Sequence, residues 1–404
     1  MTYLSEIIDE VLKDINESKI FRNREILRPD YIPEELPHRH EQIRSLTRIL
    51  SPLIKGSRPS NVFIYGLTGT GKTAVTKFVL NSLVKKSNGI QFFYINVRHE
   101  DTPYRVLASL LEYLGIRVPR TGLPTSDLYR QFTSILKAKN KMTLVVFDEI
   151  DSMLKNHGDD LLYKMTRINE YLGSSLVSII GITNDVKFVE MLDARVKSSL
   201  GEEELIFPPY NAEQLKDILK SRSERAFLEG VVNDEVISLC AAFAAREHGD
   251  ARRALDLLRV AAEIAERLGE TKVKEQHVYE ARRELEKDRV AEVVATLPFH
   301  GKMVMIAIIL LSKKQKSLTT GEVYDVYKSL CKRMKLESVT LRRVSDIISE
   351  LDMVGVISAK VVSKGRYGKT KEIVLASSIE SIIYGLKKED SEINELIQEI
   401  LGDR

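Results

Sequence analysis

Apolar and polar positions change their period twice along this chain. Up to about residue 206, short continuous apolar runs alternate with stretches of helical spacing. NVFIYG (61–66), QFFYINV (91–97), TLVVFDE (143–149) and LVSIIGITN (176–184) read as strands, while KTAVTKFVLNSLVKK (72–86), TPYRVLASLLEYLG (102–115) and a segment near 159–172 read as helices. Strands that are apolar at every position and separated by helices predict an α/β core, a parallel sheet covered on both faces. Ahead of them, residues 1–30 read as a polar helix. The turn signals of RPDYIPEELPHRH follow, then a helix from Glu41 to about Leu53 that meets the breaker stretch KGSRPS.

From FPPYNAEQL (207–215) the spacing is helical only, with FPPY as a linker and Asn211 as a helix N-cap, and it continues to about Lys287. A third pattern begins near Arg289. It has three helical runs, MVMIAIILLSKK, TTGEVYDVYKSLCKRM and VTLRRVSDIISELDMVG, then the alternating pair VISAKVV and EIVLA around SKGRYGKTK. Three helices and a Gly-containing hairpin predict a winged helix-turn-helix.

The chain has 404 residues, 43% hydrophobic and 29% charged, which excludes a disordered or fibrous protein and is long enough for two or three domains. Its two cysteines, Cys240 and Cys331, lack metal spacing and are too few for a disulfide scaffold. The start, MTYLSEIIDEVLKDINES, is acidic and amphipathic, unlike a signal peptide, and no run of 18 apolar residues occurs. A soluble cytoplasmic protein with no membrane partner is expected. High Lys and Glu with no Trp resemble thermophile usage.

A net charge of +3 conceals an asymmetry. Residues 300–375 carry 15 Lys and Arg against 7 Asp and Glu, whereas residues 376–404 carry 3 against 7. The basic stretch coincides with the expected winged helix and suits a polyanion such as DNA, because each neutralised phosphate releases counterions. Charge alone is equally consistent with a solvated basic face.

GLTGTGKT, Gly66 to Thr73, fits the P-loop pattern directly after a strand and directly before a helix. In such a loop the glycines let backbone N–H groups close around phosphates, Lys72 reaches the β and γ oxygens, and the Thr73 hydroxyl is a Mg²⁺ ligand. LVVFDEID places Asp148 at the carboxyl end of a strand, where it can hold Mg²⁺ through water, with Glu149 beside it to polarise the attacking water. Asn184 ends the strand IIGITN, either to orient that water or as an ordinary turn residue. Two arginines are candidates for stabilising transferred charge: Arg195 in LDARVKSSL, toward a neighbouring subunit, and Arg252 in HGDARRALDLLR, within its own. Arg253 is an alternative to Arg252, and the residues alone leave a solvated or paired role open for each. The histidines, His38 and His40 included, have no ligand spacing.

Together these residues resemble an AAA+ ATPase, and one branch in particular: the archaeal origin-recognition and helicase-loader initiators, related to the eukaryotic origin recognition complex. The resemblance runs from about Ile26 to Leu375. It rests on YIPEELPHRHEQI, GLTGTGKT, INVRHEDTPYRVLASLLEYLGIRVPRTGLPTS, VVFDEID, GITN, LDARVKSSL, FPPYNAEQLKDILKSR, GDARRALDLLR and the winged-helix pattern. LDARVKSSL departs from the family in ending on Leu where an aromatic is frequent. The resemblance implies an ATPase core over 1–208 with the N-terminal segment, an all-α lid over 209–287, and a winged helix with an acidic tail over 288–404. It implies that ATP or ADP binds on Gly66, Thr68, Gly69, Thr70, Gly71, Lys72 and Thr73, with Tyr31, Ile32, Tyr210 and Arg222 around the adenine. Asn184 becomes sensor 1, Arg195 a trans-acting finger and Arg252 sensor 2.

The same resemblance implies two DNA-contacting regions. One is the winged helix, with Arg342 and Arg343 early on its third helix and Lys364, Arg366, Tyr367, Lys369 and Lys371 on or near the wing. The other is an insertion in the ATPase core, with Arg120, Thr121, Gly122, Leu123 and Ser126. The expected function is an ATP-dependent replication initiator that binds double-stranded origin DNA, hydrolyses slowly as a switch, and takes the replicative helicase and initiator paralogues as partners, associated with the nucleoid. Two alternatives are an NTPase-regulated transcription factor using the same winged helix, and a clamp-loader or remodelling subunit.

Overall fold

The computed structural model describes residues 18–401 apart from residues 30, 88, 101, 120, 140, 186, 201, 364–368 and 389–390. The chain forms two compact units, the first ending at Val278 and the second beginning at Tyr279.

In the first unit, five strands, β1 (Asn61–Tyr65), β2 (Ile90–Asn96), β3 (Met142–Asp148), β4 (Leu176–Thr183) and β5 (Glu202–Ile206), make a parallel sheet of order β2-β3-β4-β1-β5. Alternation along each strand splits the core in two, because successive side chains leave opposite faces. Phe63, Phe93, Val145, Phe147 and Ile179 face one side, with α3 (Pro103–Tyr113), α4 (Thr125–Lys139), α5 (Ile150–His157), α6 (Asp160–Thr166) and α7 (Asn169–Leu172). Val62, Ile64, Leu144, Val146, Ile180 and Ile182 face the other, against α1 (His40–Leu50) and α2 (Lys72–Lys86). Each face buries its own aliphatic layer, so the strands read as unbroken apolar runs.

Some elements differ from the sequence reading. β5 was not anticipated, since EEELI looks like a polar loop. Among the described residues it pairs only with β1, and glutamates on an edge strand discourage further pairing. The helix expected near 159–172 is broken into α6 and α7. Of the expected polar helix over 1–30, residues 1–17 lie outside the described residues. The described part has one 3-10 turn, Arg24–Leu27, and buries Ile20, Phe21, Ile26 and Leu27. Phe21 packs on Phe227 with ring centroids 5.3 Å apart, fastening this segment to the helices that follow the sheet.

Short helices α8 (Phe188–Met191) and α9 (Ala194–Leu200) precede β5. Three longer helices then form the lid: α10 (Ala212–Ala226), α11 (Asp234–Arg246) and α12 (Ala251–Arg267). Asn211, Asn233 and Asp250 cap them. Asn211 makes a full capping box with Gln214, which satisfies orphan N–H groups at the linker exit. α13 spans Glu275–Ala295.

The second unit contains α14 (Phe299–Ser312), β6 (Leu318–Thr319), α15 (Thr320–Arg333), α16 (Leu341–Met353), β7 (Ile357–Ser363) and β8 (Lys369–Leu375), with sheet order β6-β8-β7. The β6 strand is too short for a periodicity signal. The acidic tail forms α17 (Ile379–Leu386) and α18 (Ser391–Leu401), whose Ile382, Leu386, Ile393, Leu396 and Ile397 enter the same core as Met303, Tyr327 and Ile348. The tail is therefore a packing helix pair, with Glu380, Glu392, Glu395 and Glu399 exposed.

Candidate functional site

Parallel strands all present their carboxyl ends to one rim, and the crevice there is the usual ligand position of an open α/β sheet. The P-loop leaves β1 at this rim, Asp148 ends β3, and Asn184 follows β4. A cleft of about 620 Å³ opens there, lined by Thr68 to Thr73, Asp148, Glu149, Asn184, Tyr31, Ile32, Tyr210, Arg222 and Arg252. The structure thus gathers into one cleft residues spread over more than 200 positions of sequence. Gly66 lies under it, its carbonyl turned to Lys72.

Two glycines carry specific demands. Gly69 has φ 68°, and a Cβ there would fall 1.6 Å from Oδ1 of Asp250. Gly71 has φ 88°, and its Cβ would lie 2.9 Å from the Tyr210 hydroxyl. Both positions need left-handed backbone and no side chain, so that the lid and linker can close on the loop. Ala251 N–H donates to the Gly69 carbonyl at 3.1 Å, seating the start of α12 on the P-loop.

Lys72 Nζ donates to the carbonyls of Gly66 and Leu67, both at 2.7 Å, and to Asn184 Oδ1 at 2.8 Å. Burial pulls its pKa down to about 8, a fall that Arg252 deepens and that Asp148 and Asp250 oppose. A buried ammonium satisfied only by neutral oxygens at its hydrogen-bond distance is a site short of negative charge, which suits a polyphosphate.

Asp148 is held by three donors. Thr73 Oγ1 reaches its Oδ2 at 2.8 Å, Tyr94 donates its hydroxyl to the same oxygen, and Glu149 N–H donates to Oδ1 at 3.0 Å. A hydroxyl beside a carboxylate is an all-oxygen donor set, suited to a hard cation such as Mg²⁺. Glu149 takes the left-handed conformation, φ 56°, uncommon for a non-glycine residue and often found at working sites. Its carboxylate faces Asn96 Nδ2 at 3.5 Å and Arg98 Nη1 at 3.6 Å. Tyr94, Asn96 and Arg98 were not singled out from sequence.

On the other wall, Arg222 donates to the carbonyls of Ile26 and Tyr31 at 2.8 and 3.3 Å, and its guanidinium lies 4.7 Å from the Tyr31 ring centroid. Burial lowers its pKa to about 10. Tyr210 is buried, and Arg39, 2% exposed, lies over its ring. Arg39 also donates to Thr70 O at 2.9 Å and Pro208 O at 2.6 Å, joining P-loop, linker and α1. Its role, too, escaped the sequence.

Residues 55–192 match the model of an AAA domain, 216–283 that of a Cdc6 AAA+ ATPase-type lid domain, and 292–385 that of the CDC6 C-terminal winged helix domain. The ORC1-type DNA replication protein 1 of Sulfurisphaera tokodaii is 61% identical over 97% of this chain and 99% of its own. This chain belongs to the ORC1-type DNA replication proteins. The ORC1-type protein of Thermococcus kodakarensis is 54% identical over 92% of this chain and 91% of its own. Among solved structures, the Aeropyrum pernix ORC1 protein in complex with DNA superposes with a TM-score of 0.85 at 52% identity, covering 94% of this chain and all of that one. The ORC1-type assignment makes the first module a nucleotide-binding AAA ATPase.

In this ORC1-type chain the two candidate arginines separate. Arg252 lines the cleft, whereas Arg253 donates to Glu247 at 3.0 Å. Arg195 is 73% exposed, paired with Asp193 at 3.0 Å, and sits in a shallow surface groove with Tyr163, Arg167 and Ser199 instead of in the cleft. Of the DNA candidates in the first unit, Thr121, Gly122, Leu123 and Ser126 are exposed around the start of α4, and Arg120 lies outside the described residues. In the second unit, Arg342 is exposed and Arg343 pairs with Glu350 at 3.0 Å. Lys371 Nζ donates to the Ser345 carbonyl at 2.7 Å and to Ser349 Oγ, tying β8 to α16. Lys369 begins β8; Lys364, Arg366 and Tyr367 lie outside the described residues. No described helix is long and apolar enough to cross a membrane.

Proposed function

We propose that this ORC1-type protein is an ATP-dependent replication initiator that binds double-stranded origin DNA through its winged helix and through the insertion around Thr121 to Ser126. The observation that carries the reading is the single cleft that gathers the P-loop, both acids of the β3 end and Arg252 of the lid. In this reading Lys72, protonated, meets the β and γ phosphates. Asn184 holds its ammonium in place, and Tyr31, Ile32, Tyr210 and Arg222 enclose the base. Thr73 and Asp148 would hold Mg²⁺, which supplies charge neutralisation to the phosphates when bound. Glu149 polarises the attacking water, and Arg252 covers developing charge from the lid.

Hydrolysis is read as slow and switch-like. Glu149 is engaged by Asn96 and Arg98 and Asn184 by Lys72, so both groups must leave partners before acting on water. Exposure of Arg195 supports a role in trans, on the nucleotide of an initiator paralogue. The division into core to residue 208, lid to 287 and winged helix from 288 is supported by the spans of the lid and winged-helix matches. Recruitment of the replicative helicase, with a cytoplasmic, nucleoid-associated location, completes the proposal. Mapping the DNA bound by the native protein across its genome against replication start sites tests it. Coincidence with starts is the expected result; occupancy confined to promoters would make this scaffold a transcriptional regulator.

A further inference from the structure

We infer that Tyr94 is a positioning residue for the carboxylate of Asp148, setting how firmly that carboxylate holds a divalent cation. The inference rests on the reading of Thr73 and Asp148 as the metal site. Strand β2 pairs in register with β3, Tyr94 opposite Val146 and Asn96 opposite Asp148, so Tyr94 lies two residue pairs short of the acid, on the same face of the sheet. Its hydroxyl donates to Asp148 Oδ2, the same oxygen that accepts from Thr73. With Glu149 N–H on Oδ1, both carboxylate oxygens are engaged and rotation about the Cβ–Cγ bond is blocked.

The ring itself is fixed. The Lys77 ammonium stands 4.2 Å from its centroid, and the Tyr113 hydroxyl donates to the Tyr94 carbonyl at 2.7 Å. A strand in this position could be filled by phenylalanine, as at Phe92 and Phe93, if packing were the only requirement. The hydroxyl adds an outer contact to a metal-holding carboxylate, a class of contact whose loss typically lowers metal affinity by about 10- to 100-fold.

Tyr94→Phe in the full chain isolates that contact, since ring and cation–π contact remain. Binding of a fluorescent ADP analogue is titrated with Mg²⁺, and again in EDTA, with Asp148→Asn beside it. In Tyr94→Phe the Mg²⁺ concentration at half effect should rise about tenfold, with full enhancement recovered at saturating Mg²⁺ and with EDTA affinity unchanged. Asp148→Asn should lose the enhancement outright. A wild-type Mg²⁺ midpoint in Tyr94→Phe overturns the inference, as does an equal loss with and without Mg²⁺, which would mark a structural role. If wild-type protein shows no Mg²⁺ enhancement at all, the metal reading of Thr73 and Asp148 fails first and takes the inference with it.

Discussion

The guanidinium carbon of Arg39 lies 3.8 Å from the centroid of the Tyr210 ring. Around that stack runs a closed circuit. Arg39 holds the carbonyl of Thr70 in the P-loop, Tyr210 touches Gly71 through its hydroxyl, and Tyr210 N–H donates to Gly249 at 3.3 Å. Asp250 then returns to the P-loop at Gly69. Any change in the loop's shape is felt by the linker and by the first turn of α12, which carries Arg252.

Replacing Arg39 by lysine tests the circuit. Lysine keeps the charge but cannot span two carbonyls with a planar fork while stacking on a ring. Loss of charge-assisted hydrogen bonds in a buried setting should cost the first unit about 1.5–3 kcal/mol, seen as a lower urea midpoint. The added thermal stabilisation by ADP should shrink as well. Unchanged melting, with and without ADP, would show that the circuit carries no coupling.

Gly69→Ala strikes the opposite side of the same circuit. The new methyl collides with Asp250, and the left-handed backbone adds about 1–2 kcal/mol of strain. Nucleotide affinity should fall by at least about tenfold, the equivalent of 1.4 kcal/mol. Asp250→Ala alone removes the cap of α12, worth about 1 kcal/mol, yet it also removes the colliding atoms. The double variant should therefore bind nucleotide better than Gly69→Ala. Simple addition of the two losses would place the strain in the loop backbone alone.

Lys72 makes nucleotide binding pH-dependent with a definite sign. Its pKa in the free protein is near 8, and phosphates can only raise it. Affinity measured in EDTA should be full below that value and fall as pH rises through it, by at most about tenfold per pH unit. Folding of the nucleotide-free protein should run the other way. The folded pKa is depressed from 10.5 to about 8, so the unfolded chain holds the extra proton in that window and stability rises with pH across it. Lys72→Met should flatten both profiles; a surviving pH slope in binding would assign the titration to another group.

How legible was the site? Gly66 to Thr73 could be read directly, because the whole anion-binding loop is contiguous and its strand and helix flank it. Asp148 and Asn184 were readable as polar ends of apolar strands. Tyr94, Asn96 and Arg98 were not, since their meaning depends on the register that sets Asn96 opposite Asp148, and register across a parallel sheet leaves no local mark. Arg39 is a lone arginine among turn residues, and only tertiary contacts distinguish it from a solvated one. β5 was hidden by its run of glutamates, which looks like a loop in the sequence. The acidic tail was ambiguous because charge dominated its composition, while apolar positions three and four residues apart determined its packing.

In the second unit the basic residues expected at DNA divide into two kinds, and the division predicts different phenotypes. Arg342 is exposed on the first turn of α16, which Thr340 caps. Arg342→Ala should leave the melting transition of this unit unchanged, weaken binding to duplex DNA, and reduce the slope of log affinity against log salt by about 1 if its contact is a phosphate. Lys371 instead spends its ammonium on the Ser345 carbonyl and Ser349 of α16. Lys371→Ala should lower the unit's thermal stability through lost charge-assisted bonds of about 1.5–3 kcal/mol, and impair DNA binding only as far as α16 and the β7–β8 pair lose their mutual position. Lys371→Met, which keeps the aliphatic stem, separates packing from hydrogen bonding. If Lys371→Ala melts like wild type and loses one unit of salt slope, the lysine leaves Ser345 to meet phosphate, and it belongs with Arg342.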